Sequence, residues 1–378
     1  MKVFWCDHCG QLVFFENSQC VSCGMSLAFM PDALEMRSFD FSAIDPANGT
    51  LANHPGWRLC ANYRQHDTCN WMVAADDENP LCRSCRLTRV IPNLEVPENV
   101  TRWFRLEGAK RRLLFTLLML KLPADGKREP ADPEGLAFEF LADPAPGTPC
   151  VMTGHDQGTI TINIAEADDA ERERRRTLLK EPYRTLLGHM RHEVGHYYWD
   201  RLIRDGNRLD GFRKVFGDER ADYAAALQQH YATPVSLAWQ SGYVSDYASA
   251  HPWEDWAESW AHYLHIWDVL ETAGYAGLRL RPKVKEAPSV KIQPPPEGEP
   301  PSFDQMIADF FPLTYVINNL NRGLGQPDGY PFILSPSAVE KLRFVHETIQ
   351  NSAAEQQQQP ADAPAAATPP PAGEPPKR

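Results

Sequence analysis

The sequence predicts an α+β fold. Apolar and β-branched runs at 135–143 and 158–167 precede a series of amphipathic helical segments, an order that sets helices beside a small sheet instead of alternating with it. Paired cysteines crowd the first 85 residues, and the end of the chain carries no core-forming residues. Three regions follow: a cysteine-rich one (1–95), a larger periodic one (97–350) and a disordered Pro/Ala/Gln-rich tail (351–378).

At 378 residues and 43% hydrophobic content the chain can bury at least one sizeable core. A net charge of −12 argues against general affinity for nucleic acid or anionic membrane. The longest apolar run, 113–120, is core-sized and far short of a membrane span. No secretory signal is visible at "MKVFWCDHCG". Paired thiols without such a signal indicate metal ligands in a reducing compartment, so the expected location is cytoplasmic.

In chain order, "CDHCGQLVFFENSQCVSCG" places Cys6, Cys9, Cys20 and Cys23 as two C-x-x-C knuckles. Each knuckle presents two thiolates to one ion, and two knuckles complete a tetrahedral zinc site. Cys60 and Cys69 precede a third knuckle, Cys82 and Cys85. They form a second four-cysteine site, with His66 in place of Cys69 as the alternative ligand. Both sites are expected to be structural, since four protein ligands leave no position for water or substrate.

Residues 101–122 are expected to be helical, 135–143 and 158–167 to be strands, and the second strand to be an edge that pairs with an extended substrate. Helices are expected at 182–204, 217–232, 252–271, 303–320 and 336–350, with a Pro-rich surface loop at 283–302. The acidic segment 216–231 is assigned to packing.

"RHEVGHYYWD" (191–200) carries the chemistry. On a helical wheel His189, His192, His196 and Trp199 fall opposite an apolar face of Leu186, Met190, Val194 and Tyr197. His192 and His196 are one turn apart, about 6 Å along the axis, so both rings can reach one ion. Glu193 beside them can take a proton from a metal-bound water.

A zinc site also needs a third protein ligand, with its fourth position left open. "HPWEDWAESWAHYLH" (251–265) offers Glu254 and Glu258 one turn apart, away from an aromatic stripe of Trp253, Trp256, Trp260 and Tyr263. Glu254 is the candidate ligand, and Glu258 the carboxylate that hydrogen-bonds the outer nitrogen of a ligating histidine. Ala257 and Ala261 are small enough to let a neighbouring helix approach. His262 and His265 are competing, weaker candidates.

HEVGH followed by Glu-x-x-Ala-Glu resembles the glutamate-ligand zincins. Thermolysin-like members place a glutamate ligand four residues before an acidic partner, as Glu254 stands before Glu258. The anthrax lethal factor type has a similar Glu-x-x-Ala-Glu-x-aromatic string, with a catalytic tyrosine seven residues earlier, here Tyr247. The 57 residues between His196 and Glu254 depart from thermolysin's shorter spacing.

From ribbons to helices, the chain is similar to bacterial zinc-binding metallopeptidases that begin with a zinc-ribbon domain. That likeness implies a zincin-like domain at 97–350 and three Zn²⁺ ions, one catalytic and two structural. It also implies hydrolysis of protein or peptide substrates by a metal-activated water, with Glu193 as general base and Tyr247 as a further catalytic group. The alternative is a ribbon-based adaptor for protein or single-stranded nucleic acid, whose zincin domain is inactive.

Overall fold

A computed structural model describes residues 1–144, 150–178, 183–233, 237–284, 289–295 and 301–358. The cysteine-rich region is built of short antiparallel pairs. β1 (Phe4–Trp5) pairs with β2 (Leu12–Val13), and β3 (Ser26–Met30) with β4 (Glu35–Phe39). β5 (Thr50–Leu51), β6 (His54–Leu59) and β7 (Met72–Ala74) form a third sheet, with α1 (Ala61–His66) between β6 and β7. Strands this short cannot hold themselves together by side-chain burial alone, so cross-links between loops are needed.

β8 (Thr88–Val90) leaves this region and joins the next one. It runs parallel to β9 (Ala137–Leu141), with α2 (Pro97–Met119) as the crossover between them. β9 runs parallel to β11 (Thr159–Asn163), which pairs antiparallel with β10 (Gly154–Asp156). Gln157 and Gly158, both at positive φ, make the two-residue turn of that hairpin, the conformation such tight hairpins require. The sheet order is therefore β10-β11-β9-β8. β11 is paired on both sides, which corrects the expectation that it is an edge; the edge on that side is β10.

Helices follow: α3 (Asp169–Leu178), α4 (Leu186–Tyr198), α5 (Leu209–Phe216), α6 (Tyr223–Ala232) and α7 (Pro252–Tyr275). After β12 (Arg279–Leu280) and β13 (Val290–Lys291) come α8 (Phe303–Gly323) and α9 (Pro336–Gln358). α3 and α5 were not expected, and the helix expected from 217 starts at Tyr223. The Pro-rich segment is not wholly loop: β13 pairs with β12, and Ile292 is buried. α9 carries the described part of the expected tail, 351–358, as helix; 359–378 lie outside the described residues.

One apolar core runs from Phe4, Phe15 and Phe29 of the ribbon strands through Phe115 of α2 to Tyr197, Trp256 and Trp260. No described helix is long and apolar enough to cross a membrane.

Candidate metal centres and cleft

Both cysteine sets come together. Their ligand atoms, like those of His192, His196 and Glu254, lie within 4.8 Å of one another in each group. In the first cluster Cys6 and Cys23, and Cys9 and Cys20, have sulfurs 3.7 Å apart. In the second, Cys69 and Cys82 stand at the same 3.7 Å. Thiolates about 2.3 Å from a tetrahedral zinc lie about 3.8 Å apart, so both donor sets fit that ion. His66 is exposed, its ring packed beside Trp103, and takes no part in the second cluster.

The second cluster is fully buried and walled by α2. Arg111 donates to the Thr68 carbonyl at 2.5 Å. Burial disfavours its charge, yet the sulfurs of Cys69, Cys85 and Cys82, with Glu107, raise its pKa. Glu107 and Lys110, both wholly inaccessible, pair at 2.9 Å. Thr88 of β8 donates to Glu107 at 2.8 Å and accepts from Lys110.

The cleft lies where α4 meets α7. The Thr185 side chain caps α4 by accepting from Gly188 N at 3.0 Å. His251 caps α7 by accepting from Trp253 N, and Pro252 fills the first helical position. The helices touch at Gly195, where an added Cβ would stand 3.0 Å from Ala257 Cα. Trp256 Nε1 donates to the Gly195 carbonyl at 2.8 Å. The stretch 190–199 is wholly buried, and a π-helical turn (Trp199–Arg204) continues the helix.

His192 Nε2 and His196 Nε2 are 3.2 Å apart, and Glu254 Oε2 lies 3.0 and 3.5 Å from them. Donors about 2.0–2.1 Å from a tetrahedral zinc are separated by about 3.3–3.4 Å. Glu254 is only 1% exposed, and apart from the two imidazoles its Oε2 has no hydrogen-bond partner among the described residues. A buried carboxylate oxygen aimed at two imidazole nitrogens and otherwise orphaned fits a cation ligand.

His192 Nδ1 donates to Glu258 at 2.8 Å, and Ser245 Oγ donates to the other Glu258 oxygen at 2.6 Å. Burial works against a charge on His192, but Glu254 and Glu258 on its two nitrogens prevail and raise its pKa well above the ordinary value. Burial would raise Glu258, yet His192 holds it down at about 2. For Glu254, burial is likewise overcome by His196 and His192, leaving it well below the carboxylate range. Glu193 is buried beside these groups, and among the described residues none donates a hydrogen bond to it.

The Tyr247 ring lies 5.9 Å from that of His192. Burial, reinforced by Glu254, raises its pKa, so the hydroxyl stays protonated. The segment carrying Ser245 and Tyr247 is fastened by the buried Lys341 of α9. That side chain donates to the Gly242 carbonyl at 2.7 Å, pairs with Asp255 at 2.6 Å and lies over the Tyr243 ring.

The other expected candidates stand elsewhere. His262 pairs with the Tyr330 hydroxyl, His265 accepts from Arg191, and His189 faces Glu166 at 3.0 Å. Trp253, expected in the aromatic core stripe, packs on His196 with ring centroids 3.8 Å apart. His155 of the edge strand β10 is 6.3 Å from His196. Tyr223, in the segment assigned to packing, donates to Glu254 Oε1 at 2.6 Å. Trp253 shares the spacing of the aromatic stripe and so reads as core, while His155 and Tyr223 stand on other elements with no helical spacing to point to them.

Two family models together cover most of the chain. The family model described as "Putative zinc-binding metallo-peptidase" matches residues 99–348, and that of a zinc-ribbon domain matches residues 3–96. Uncharacterized proteins of Mycobacterium bovis and Mycobacterium tuberculosis are 41% identical over 356 residues, covering 94% of this chain and 97% of theirs. No solved structure matches.

Proposed function

The chain belongs to the zinc-binding metallopeptidase family, and from that premise we propose that it hydrolyses peptide bonds with zinc held by His192, His196 and Glu254. The observation that carries this reading is the convergence of the His192, His196 and Glu254 donor atoms within 4.8 Å of one another, with the buried Glu193 next to His192 in the chain. Zinc bound there would supply Lewis-acid chemistry, for the scissile carbonyl and for a nearby water. Glu193 accepts the attacking water's proton and returns it to the leaving amine. The Tyr247 hydroxyl donates to the oxyanion of the tetrahedral intermediate. Glu258 fixes the His192 ring through Nδ1, so that Nε2 faces the ion. An extended substrate pairs with the free edge of β10, which lies beside His196. The two cysteine clusters hold structural zinc.

The test is a denatured proteome incubated with wild type and Glu193→Gln, with new N-termini mapped by mass spectrometry. New termini that appear only with wild type support the proposal. Equal cleavage by both proteins overturns the role of Glu193. No cleavage by a zinc-loaded wild type favours the adaptor reading.

A further inference from the structure

α6 has none of its residues buried, and its His230 ring lies 6.0 Å from that of Tyr247. Tyr223, in its first turn, is itself 37% exposed. A helix of this kind ordinarily contributes little to an interior, yet its Tyr223 hydroxyl reaches Glu254 Oε1 at 2.6 Å. The start of the helix is pinned twice. The Asp222 side chain caps it by accepting from Ala225 N at 3.0 Å. His251, the residue that caps α7, donates from Nε2 to the Ala221 carbonyl at 3.1 Å. One histidine thus ties the residue before the α6 cap to the start of the helix bearing Glu254. The Tyr223 ring packs edge-on against His251 and Trp253, at 5.2 and 5.6 Å between centroids.

The consequence concerns how a carboxylate meets an ion. A glutamate can bind through one oxygen or chelate through both, and chelation fills a coordination position that water or substrate would use. In Glu254 the two oxygens have different surroundings. Oε2 faces both histidine nitrogens and has no other partner among the described residues, while Oε1 accepts from Tyr223. A short bond from a neutral phenol to a carboxylate is of the stronger, charge-assisted kind.

We infer that Tyr223 is a positioning residue that holds Oε1 of Glu254 away from the ion, so that the ligand binds through Oε2 alone and one coordination position stays open. The inference rests on the proposed ligand set.

The full chain, stripped of its chelator-labile ion and refilled with Co²⁺ at that site, provides the test. Tyr223→Phe keeps the ring packing and removes only the hydroxyl. The expected result is cobalt affinity lower by about 10-fold, within the range for loss of a group that orients a ligand. The cobalt absorption should also weaken, as it does when a four-coordinate ion becomes five-coordinate, a change that mere loosening of α6 would not cause. An unchanged affinity and spectrum, with cobalt uptake still abolished by His192→Ala, overturns the role of Tyr223 and leaves the ligand set standing. Uptake that survives His192→Ala overturns the ligand set itself.

Discussion

The two four-cysteine clusters share the same donors and the same 3.7 Å sulfur spacing, but not the same surroundings. In the first, Cys6 and Cys20 are buried but Cys9 is exposed and Cys23 partly so, near the exposed side chains of Trp5, Leu12, Phe14 and Val21. In the second, all four cysteines are buried against α2 and flanked by β8, a strand of the main sheet. α2 continues toward the cleft, where Thr116 donates to Asp268 of α7, which also pairs with Arg191 of α4. Identical local chemistry therefore yields a cross-link half open to solvent in one place and a wholly buried joint in the other.

The largest expected difference comes from removing one sulfur from each. Cys82→Ser should abolish folding of the whole chain. Structural zinc contributes about 10–16 kcal/mol in small peptides, whereas a domain's net stability is about 5–15 kcal/mol. Cys9→Ser should lose one zinc and leave the cleft ion in place. Elemental analysis with thermal unfolding decides this, and a folded, cleft-loaded Cys82→Ser protein would break the comparison.

Next in size is the contact between the cysteine-rich region and α2. Lys110→Met strands the buried Glu107 and should destabilise by about 3–5 kcal/mol. Arg112→Ala, which removes a half-exposed pair with Glu16 at 2.6 Å, should cost about 1 kcal/mol or less. Urea denaturation of both variants measures the contrast. For the same reason a chain beginning near residue 99, which lacks β8 and the partners of Arg111, should be insoluble.

Smaller effects separate the closed clusters from the open cleft. Glu254→Ala should lose the cleft ion, and Glu258→Ala should weaken it by about 10- to 100-fold. The four-cysteine ions should stay in place in both variants. Competition with a chelator reads this, and the reverse order would move the ligand one turn along α7.

The last effect is one of pH. His192 is raised, so in the metal-free protein its stabilisation is complete below the ordinary histidine pKa of about 6.5 and is lost as pH climbs through the raised value. Zinc displaces that proton. The melting-temperature gain from the cleft ion should therefore widen with rising pH. A gain that is flat with pH would deny the imidazolium in the empty cleft.

What was legible in the sequence was local. Cysteine knuckles, histidines one turn apart and glutamates four apart on one helix declare themselves because backbone geometry fixes those distances. The α+β class followed from period and order. Contacts closed over long separations left no such trace: Tyr223 stands 31 residues before Glu254, and β8 reaches its partner only across α2. α3 was missed because "DAERERRRTL" has no apolar stripe and is held by ion pairs such as Arg174–Glu171. The edge strand was misassigned because β10 has only three residues and an unremarkable sequence, "GHD".

Gly195 carries a lesson for reading genomes. The two middle positions of His-Glu-x-x-His are written as wild cards, yet here the second stands against Ala257 with no room for a side chain unless the backbone yields. A search string that demands a small residue there, together with alanine before the second downstream glutamate, adds constraint at two places where the bare pattern has none. Chance matches to such a string become scarcer in proportion.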